Sequence, residues 1–78
     1  MKVNNIYVRT IEEGRRPDIA LETRSFKKAW EGARNIIWMY RRHFNLPDDF
    51  SEEVEDIKAL DGVECHDVAG YYYIDLYI

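Results

Sequence analysis

The chain has 78 residues, a net charge of −4, 46% hydrophobic residues and one cysteine. This length leaves room for about one helix layer on one sheet. The hydrophobic share excludes a disordered chain, and one cysteine excludes an internal disulfide framework. The longest unbroken apolar runs, 36–40 and 71–74, are too short to span a bilayer, and no secretory signal opens the sequence. We therefore expect a single cytoplasmic domain over residues 1–78.

The first third of the chain predicts a β-hairpin. Val3 to Ile11 alternates between apolar and polar residues, and Ile19 to Thr23 repeats the pattern on a shorter scale. A polar segment with Gly and Pro separates them, as expected of a loop. Because side chains alternate across a strand, one set faces inward. The predicted inward set is Ile6, Val8, Ile19 and Leu21.

The segment from Ser25 to Phe44 predicts the longest helix. Its apolar residues recur at intervals of three and four, which places them on one stripe of an α-helix. These residues are Phe26, Trp30, Ala33, Ile37, Tyr40 and Phe44, flanked by Ala29 and Ile36. Ser25 is suited to cap the N-terminus, and Pro47 ends the pattern.

Residues 48–60 predict a short amphipathic helix with an acidic outer face, and the apolar pattern leaves open whether residues 58–60 end this helix or begin a strand. Phe50, Val54 and Ile57 recur at four and three residues. The outward residues are Asp48, Asp49, Glu52, Glu53, Glu55 and Asp56. Carboxylates spaced one helical turn apart can imitate the phosphates of a nucleic acid and occupy a basic groove. The alternative is a solvated helix face that balances the basic helix.

The last third of the chain predicts a second hairpin, with strands at 63–68 and 71–78 joined by a tight turn at Ala69-Gly70. Alternation in the last strand sends four aliphatic or aromatic residues inward and four residues outward. The inward set is Tyr72, Ile74, Leu76 and Ile78, and the outward set is Tyr71, Tyr73, Asp75 and Tyr77. The predicted fold is therefore α+β, a two-layer domain of order ββααββ. An antiparallel sheet of about four strands packs on the long helix and the short acidic helix.

The outward tyrosines are the first candidate binding surface. Tyr71, Tyr73 and Tyr77, joined by Tyr7, would form an amphipathic aromatic patch of the kind found in protein interfaces. Ordinary cross-strand pairing of tyrosines is the alternative. An RNA-binding platform is disfavoured because Asp75 lies among the tyrosines and the motif of that family is absent.

A second candidate surface surrounds Trp38, whose helical neighbours include Arg34, Arg41 and Arg42. Three interpretations stay open. Trp38 packs under another element with the arginine stems over its rim. It forms an interface hot spot. Or it stacks on nucleic acid while the arginines contact phosphate.

Catalytic and metal-binding patterns are weak. Cys65 and His66 are adjacent on a predicted strand and so face opposite sides, and no Cys/His spacing fits zinc. Pro17 and Pro47 each begin a faint match to a nuclease pattern of Pro-Asp followed by an acid, any residue and Lys, with spacings that are too short. We expect no enzymatic activity, no metal and no cofactor.

Charge is divided unevenly along the chain, with +5 over residues 1–47 and −9 over residues 48–78. Such asymmetry bears on partners more than on fold. Together, the size, acidity and missing catalytic motif resemble, in kind and without a shared motif, small viral and plasmid inhibitors of host nucleic-acid machinery, such as anti-CRISPR and anti-restriction proteins. The resemblance implies a protein-binding module that acts by occlusion on a basic, nucleic-acid-binding protein. Alternatives are a regulatory or structural homodimer and a nucleic-acid binder that uses the Trp38 surface.

Overall fold

A computed structural model describes residues 4–50 and 56–78, which form a four-stranded sheet with one α-helix against one face. The elements are β1 (Ile6–Ile11), β2 (Asp18–Thr23), α1 (Phe26–Met39), a 3-10 helix (Asp56–Ala59), β3 (Val63–Val68) and β4 (Tyr71–Tyr77). The α+β class and the two-layer arrangement are confirmed.

The sheet is mixed, which corrects the antiparallel prediction. Its strand order is β2-β1-β4-β3. Each hairpin is antiparallel, but the two central strands, β1 and β4, run parallel. Alternation along a strand assigns its faces and carries no information about its neighbour. The parallel pair arises from the path of the chain. After β2 at one edge of the sheet, the chain passes through α1 to β3 at the other edge, and β4 then returns to the centre beside β1.

A β-bulge reverses the predicted orientation of Ile19. Val8 pairs with Leu21, but the next residue, Arg9, pairs with Ile19, so Ala20 is an extra residue in β2. Leu21 faces α1 as expected. Ile19 instead lies on the opposite face of the sheet, beside Arg9, and is 60% exposed. A period of two holds only in an uninterrupted strand.

The helix begins where the sequence indicates and ends earlier. Ser25 Oγ accepts the backbone N–H of Lys28 at 3.3 Å, which confirms the N-cap. α1 ends at Met39, and residues 40–45 are turns. Asn45 takes a positive φ of 59°, and these turns bring Phe44 back to the core beside Gly62. In the sequence the apolar spacing extends to Phe44 because this residue, although it lies in a turn, is buried and also follows the three-and-four spacing of the helix.

The core lies between α1 and the central strands. Fully buried residues are Ile6, Val8, Ala29, Ala33, Ile37, Ile74 and Leu76. Trp30, Phe44, Phe50, Ile57 and Val63 extend this cluster towards β3, where the 3-10 helix packs. Removal of apolar surface from water stabilises the fold by about 25 cal/mol for each Å² buried.

The predicted second α-helix is only partly within the described residues. Residues 48 and 49 form a turn, and 56–59 form a 3-10 helix rather than part of an α-helix. Residues 51–55 lie outside the described part of the chain, as do residues 1–3 of the predicted first strand. No helix within 4–50 and 56–78 is long and apolar enough to cross a membrane.

Candidate functional site

The open face of the sheet, meaning the side that α1 does not cover, carries the candidate site. The register places Tyr7 beside Tyr73, Arg9 beside Asp75, and Glu64 across from Asp75. All these side chains therefore share one face. The described strand residues on this face are Tyr7, Arg9, Ile11, Ile19, Glu22, Glu64, His66, Val68, Tyr71, Tyr73, Asp75 and Tyr77.

Asp75 is the electrostatic centre of the open face. It is only 2% exposed although it points away from the helix layer, because its neighbours on β1, β3 and β4 cover it. Arg9 donates two hydrogen bonds to it, from Nε to Oδ1 at 2.7 Å and from Nη2 to Oδ2 at 2.9 Å. His66 Nε2 lies 3.2 Å from the same Oδ2. A buried carboxylate needs such donors to offset lost hydration.

The pairing also acts on Arg9. The hydrogen bonds with Asp75 raise the pKa of the guanidinium above its ordinary value, against the opposing effect of burial. An arginine side chain stays protonated in proteins, and this pairing favours its charged form further. Its bidentate geometry sets the orientation of the guanidinium plane, which lies over the ring of Tyr73 at 4.4 Å.

Tyrosines build an ordered layer around this ion pair. The rings of Tyr7 and Tyr73 stack at 5.3 Å with an interplanar angle of 17°, and Tyr71 lies 6.3 Å from Tyr7. Asn5 donates to Glu22 at 2.7 Å and contacts the Tyr7 hydroxyl at 3.4 Å. Stacking and hydrogen bonding together order these rings.

Tyr77 closes the other end of the open face. Its hydroxyl donates to Glu64 at 3.0 Å, which raises the pKa of Tyr77. Glu64 also lies 3.4 Å from His66, so the network continues from Tyr77 to Asp75. The three predicted tyrosines, Tyr71, Tyr73 and Tyr77, thus occupy one surface with Tyr7, as the alternation indicated.

The Trp38 surface lies at the C-terminal end of α1. Arg41 stacks over the indole at 4.3 Å, donates to the Trp38 carbonyl at 2.9 Å and pairs with Asp48 at 3.2 Å. Trp38 keeps 46% exposure, and Arg42 is exposed nearby, whereas Arg34 is partly buried. One face of the indole is therefore occupied by Arg41 and is not available for a base unless Arg41 moves.

The predicted acidic surface is only partly described. Asp48 and Asp49 lie in an exposed turn, Asp48 being the partner of Arg41, and Asp56 begins the 3-10 helix. Glu52, Glu53 and Glu55 lie outside the described residues. The structure therefore does not bring the six acids onto one described helix, and the nucleic-acid mimic stays a prediction.

Sequence reasoning missed the ionic centre. Alternation along each strand places Arg9 and Asp75 on the outward side, but their pairing depends on β1 lying beside β4, and the two residues are 66 positions apart in sequence. His66 was considered only as a metal ligand. The one available signal was a charged residue in the middle of a tyrosine strand, which requires a partner wherever it is buried.

Cys65 and His66 do face opposite sides of β3, since His66 lies beside Asp75 and Cys65 pairs with inward-facing Ile74. Within residues 4–50 and 56–78, no group of three His, Cys, Asp or Glu side chains is arranged to hold a metal ion.

Comparison of the chain with protein-family models, curated proteins and solved structures finds no match.

Proposed function

We propose that the protein is a non-enzymatic protein-binding module that contacts its partner through the open face and acts by covering a surface of that partner. One observation carries the proposal: a buried carboxylate, paired with Arg9 and His66, holds a tyrosine layer in order on the side of the sheet that no described helix covers. Tyrosine and arginine are enriched in protein interfaces.

Preorganisation is the physical reason why this surface suits binding. Ordering a flexible side chain costs about 0.5–1.5 kcal/mol on association. Tyr7, Tyr73 and Tyr77 already have stacking or hydrogen-bond partners, so less of that cost remains. Apolar contact area is also present, because Val68 and Tyr71, which face each other across the last hairpin, are both exposed.

The size of the face indicates what else the partner contacts. Four strands about 4.8 Å apart and six residues long, at about 3.3 Å per residue, cover roughly 400 Å² of flat area. A stable interface buries about 800 Å² on each partner. We therefore expect the contact to extend beyond the sheet, onto the loop between β1 and β2.

The test is an affinity capture from nuclease-treated lysate of the source or host cell, with quantification of the captured protein. Val68→Lys/Tyr71→Glu places an opposed charge pair on the open face without changing net charge. Met39→Lys/Tyr40→Glu does the same at the exposed helix end and is the matched control. We expect the first variant to capture at least about tenfold less of the partner, and the second variant to retain it.

The opposite pattern would move the binding surface to the end of α1, and retention by both variants would refute the open face. Circular dichroism and thermal unfolding of each variant establish that the fold is intact before capture.

A further inference from the structure

A shallow depression of about 450 Å³ lies where the open face meets the loop between β1 and β2. Its lining residues are Tyr7, Arg9, Arg16, Pro17, Ile19 and Tyr73. Two of the six are arginines and none is acidic, although the chain as a whole has a net charge of −4. Both arginines are positively charged, although Asp75, which is not part of the lining, already pairs with Arg9.

Arg9 forms the fixed side of the depression. Asp75 accepts from Nε and Nη2, which uses two of the five N–H groups of the guanidinium. Within the described residues, the Nη1 group has no acceptor, and the side chain is 26% exposed. An arginine held in this way by one carboxylate presents a preorganised donor edge to a second anion.

Arg16 forms the adjustable side. Its neighbour Arg15 is paired with Glu12 at 3.4 Å, whereas Arg16 is exposed and has no ion-pair partner within residues 4–50 and 56–78. Gly14, with a φ of 77° and open space around it, bends the loop that carries Arg16. The second cation can therefore move towards a bound anion at little cost.

The other four lining residues form a wall of apolar and aromatic groups. Ile19 reaches it because of the bulge in β2, and Pro17 and the Tyr7–Tyr73 stack complete it. An isolated phosphate or carboxylate would leave this wall uncovered. A side chain or chain segment that combines a carboxylate with an adjacent apolar or aromatic group would contact both parts.

We infer that this depression binds an acidic segment of the protein partner, with an Asp or Glu carboxylate between Arg9 and Arg16 and a neighbouring apolar side chain against Ile19 and Tyr73. The inference rests on the proposed function and specifies the chemistry of the partner at the same face. Charge-assisted hydrogen bonds are stronger than those between neutral groups. A single lost arginine contact should weaken binding by about tenfold or more.

The experiment selects peptides from a displayed random dodecapeptide library with the intact protein as bait. The expected winners carry Asp or Glu next to an aromatic or aliphatic residue. A synthetic winner is then measured by fluorescence anisotropy against the wild type, Arg16→Glu and Arg42→Glu. Arg42→Glu is the matched control, because it reverses an exposed arginine at the far end of α1.

Support requires three results: at least about tenfold weaker binding to Arg16→Glu, unchanged binding to Arg42→Glu, and a similar loss when the acids of the peptide become Gln or Asn. Winners without acids, no winners, or loss with Arg42→Glu alone would overturn the inference. Displacement by inorganic phosphate at concentrations at which chloride has no effect would also overturn it, by identifying a general anion site.

Failure here is separable from failure of the proposed function. If Arg16→Glu still captures the cellular partner and Val68→Lys/Tyr71→Glu does not, the open face is the binding surface and the acidic segment is wrong. If both variants capture it, both proposals fail.

Discussion

Two sites in the protein each combine an arginine, an aromatic ring and an aspartate. The aspartate is buried in one site and exposed in the other. On the open face, Arg9 lies 4.4 Å from the centre of the Tyr73 ring and donates from Nε to Asp75 at 2.7 Å. At the end of α1, Arg41 lies 4.3 Å from the Trp38 ring and donates from Nε to Asp48 at 3.2 Å. The Asp75 side chain is 3% exposed, whereas the Asp48 side chain is 75% exposed.

The difference shows that burial of the acid, rather than the contact list, decides what such an arrangement is worth. An exposed ion pair contributes about 0–1 kcal/mol because water and salt screen it. Removal of one partner from a buried pair leaves an uncompensated charge and costs several kcal/mol. The open-face group is therefore structural as well as a candidate contact surface, and the helix-end group is a surface feature.

The largest expected effect comes from disrupting the ion pair between Arg9 and the buried Asp75. Arg9→Met leaves Asp75 with His66 as its remaining side-chain partner in the described structure. We expect a loss of about 3 kcal/mol in the free energy of unfolding, the low end of the range because Arg9 is partly exposed. Urea unfolding followed by circular dichroism measures it.

The double variant Arg9→Met/Asp75→Leu is its control, because it removes the charge that the single variant leaves unpaired. It should recover most of the lost stability. A single-variant cost below about 1 kcal/mol would mean that Asp75 is not effectively buried.

The next effect tests the turn that sets the register of β4 against β3, and so places Asp75 opposite Glu64. Ala69 and Gly70 both have positive φ, 53° and 87°. Gly70→Ala should destabilise by about 1–2 kcal/mol, from the left-handed backbone and a Cβ 3.0 Å from Asn4 Nδ2. Ala69→Asn should stabilise by about 0.5 kcal/mol, since Asn-Gly suits such turns. Thermal unfolding measures both effects, and unfolding temperatures that shift in the same direction in both variants would contradict this account.

A smaller effect compares the two faces of β4 at alkaline pH. Burial, and then a hydrogen bond with Cys65, raise the pKa of Tyr72 to about 12. The native state holds this proton more tightly than the unfolded chain, so its contribution is complete below pH 10 and is lost as the pH rises towards 12. Allowing for partial exposure, we expect about 1 kcal/mol.

The free energy of unfolding of the wild type and of Tyr72→Phe, measured across this pH range, gives the loss of stability. The loss should be smaller in the variant. Tyr77→Phe is the open-face counterpart, because the hydrogen bond to Glu64 also raises the pKa of Tyr77. An unchanged profile in Tyr72→Phe would assign the alkaline transition to other groups.

The smallest effect is expected at the helix end. Arg41→Met should change the free energy of unfolding by less than about 0.5 kcal/mol, because Asp48 remains hydrated without its partner. High salt should remove that difference and leave the cost of Arg9→Met largely intact. A cost comparable to that of Arg9→Met would show that the exposure of Asp48 does not govern the energetics.

Much of the candidate site could be predicted because strand faces are a local property. Alternation in β4 placed Ile74 and Leu76 against the helix and Tyr71, Tyr73 and Tyr77 on the other side, and the structure has them there. A period of two follows from backbone geometry alone, so the printed order of residues contains it.

Features that depend on a non-local partner or on a break in periodicity were not predictable in this way. The bulge at Ala20 moved Ile19 to the open face, and the return of Phe44 to the core ended α1 early. Neither event leaves a periodic signal, because each satisfies packing that involves residues distant in sequence.

The sequence by itself therefore determined the elements, the capped start of α1, the last hairpin and the two faces of β4. The tertiary structure alone decided that β1 lies parallel to β4, and hence that Arg9 meets Asp75. The reason is physical: propensity and alternation act over a few residues, whereas strand pairing is selected by burial of the whole core.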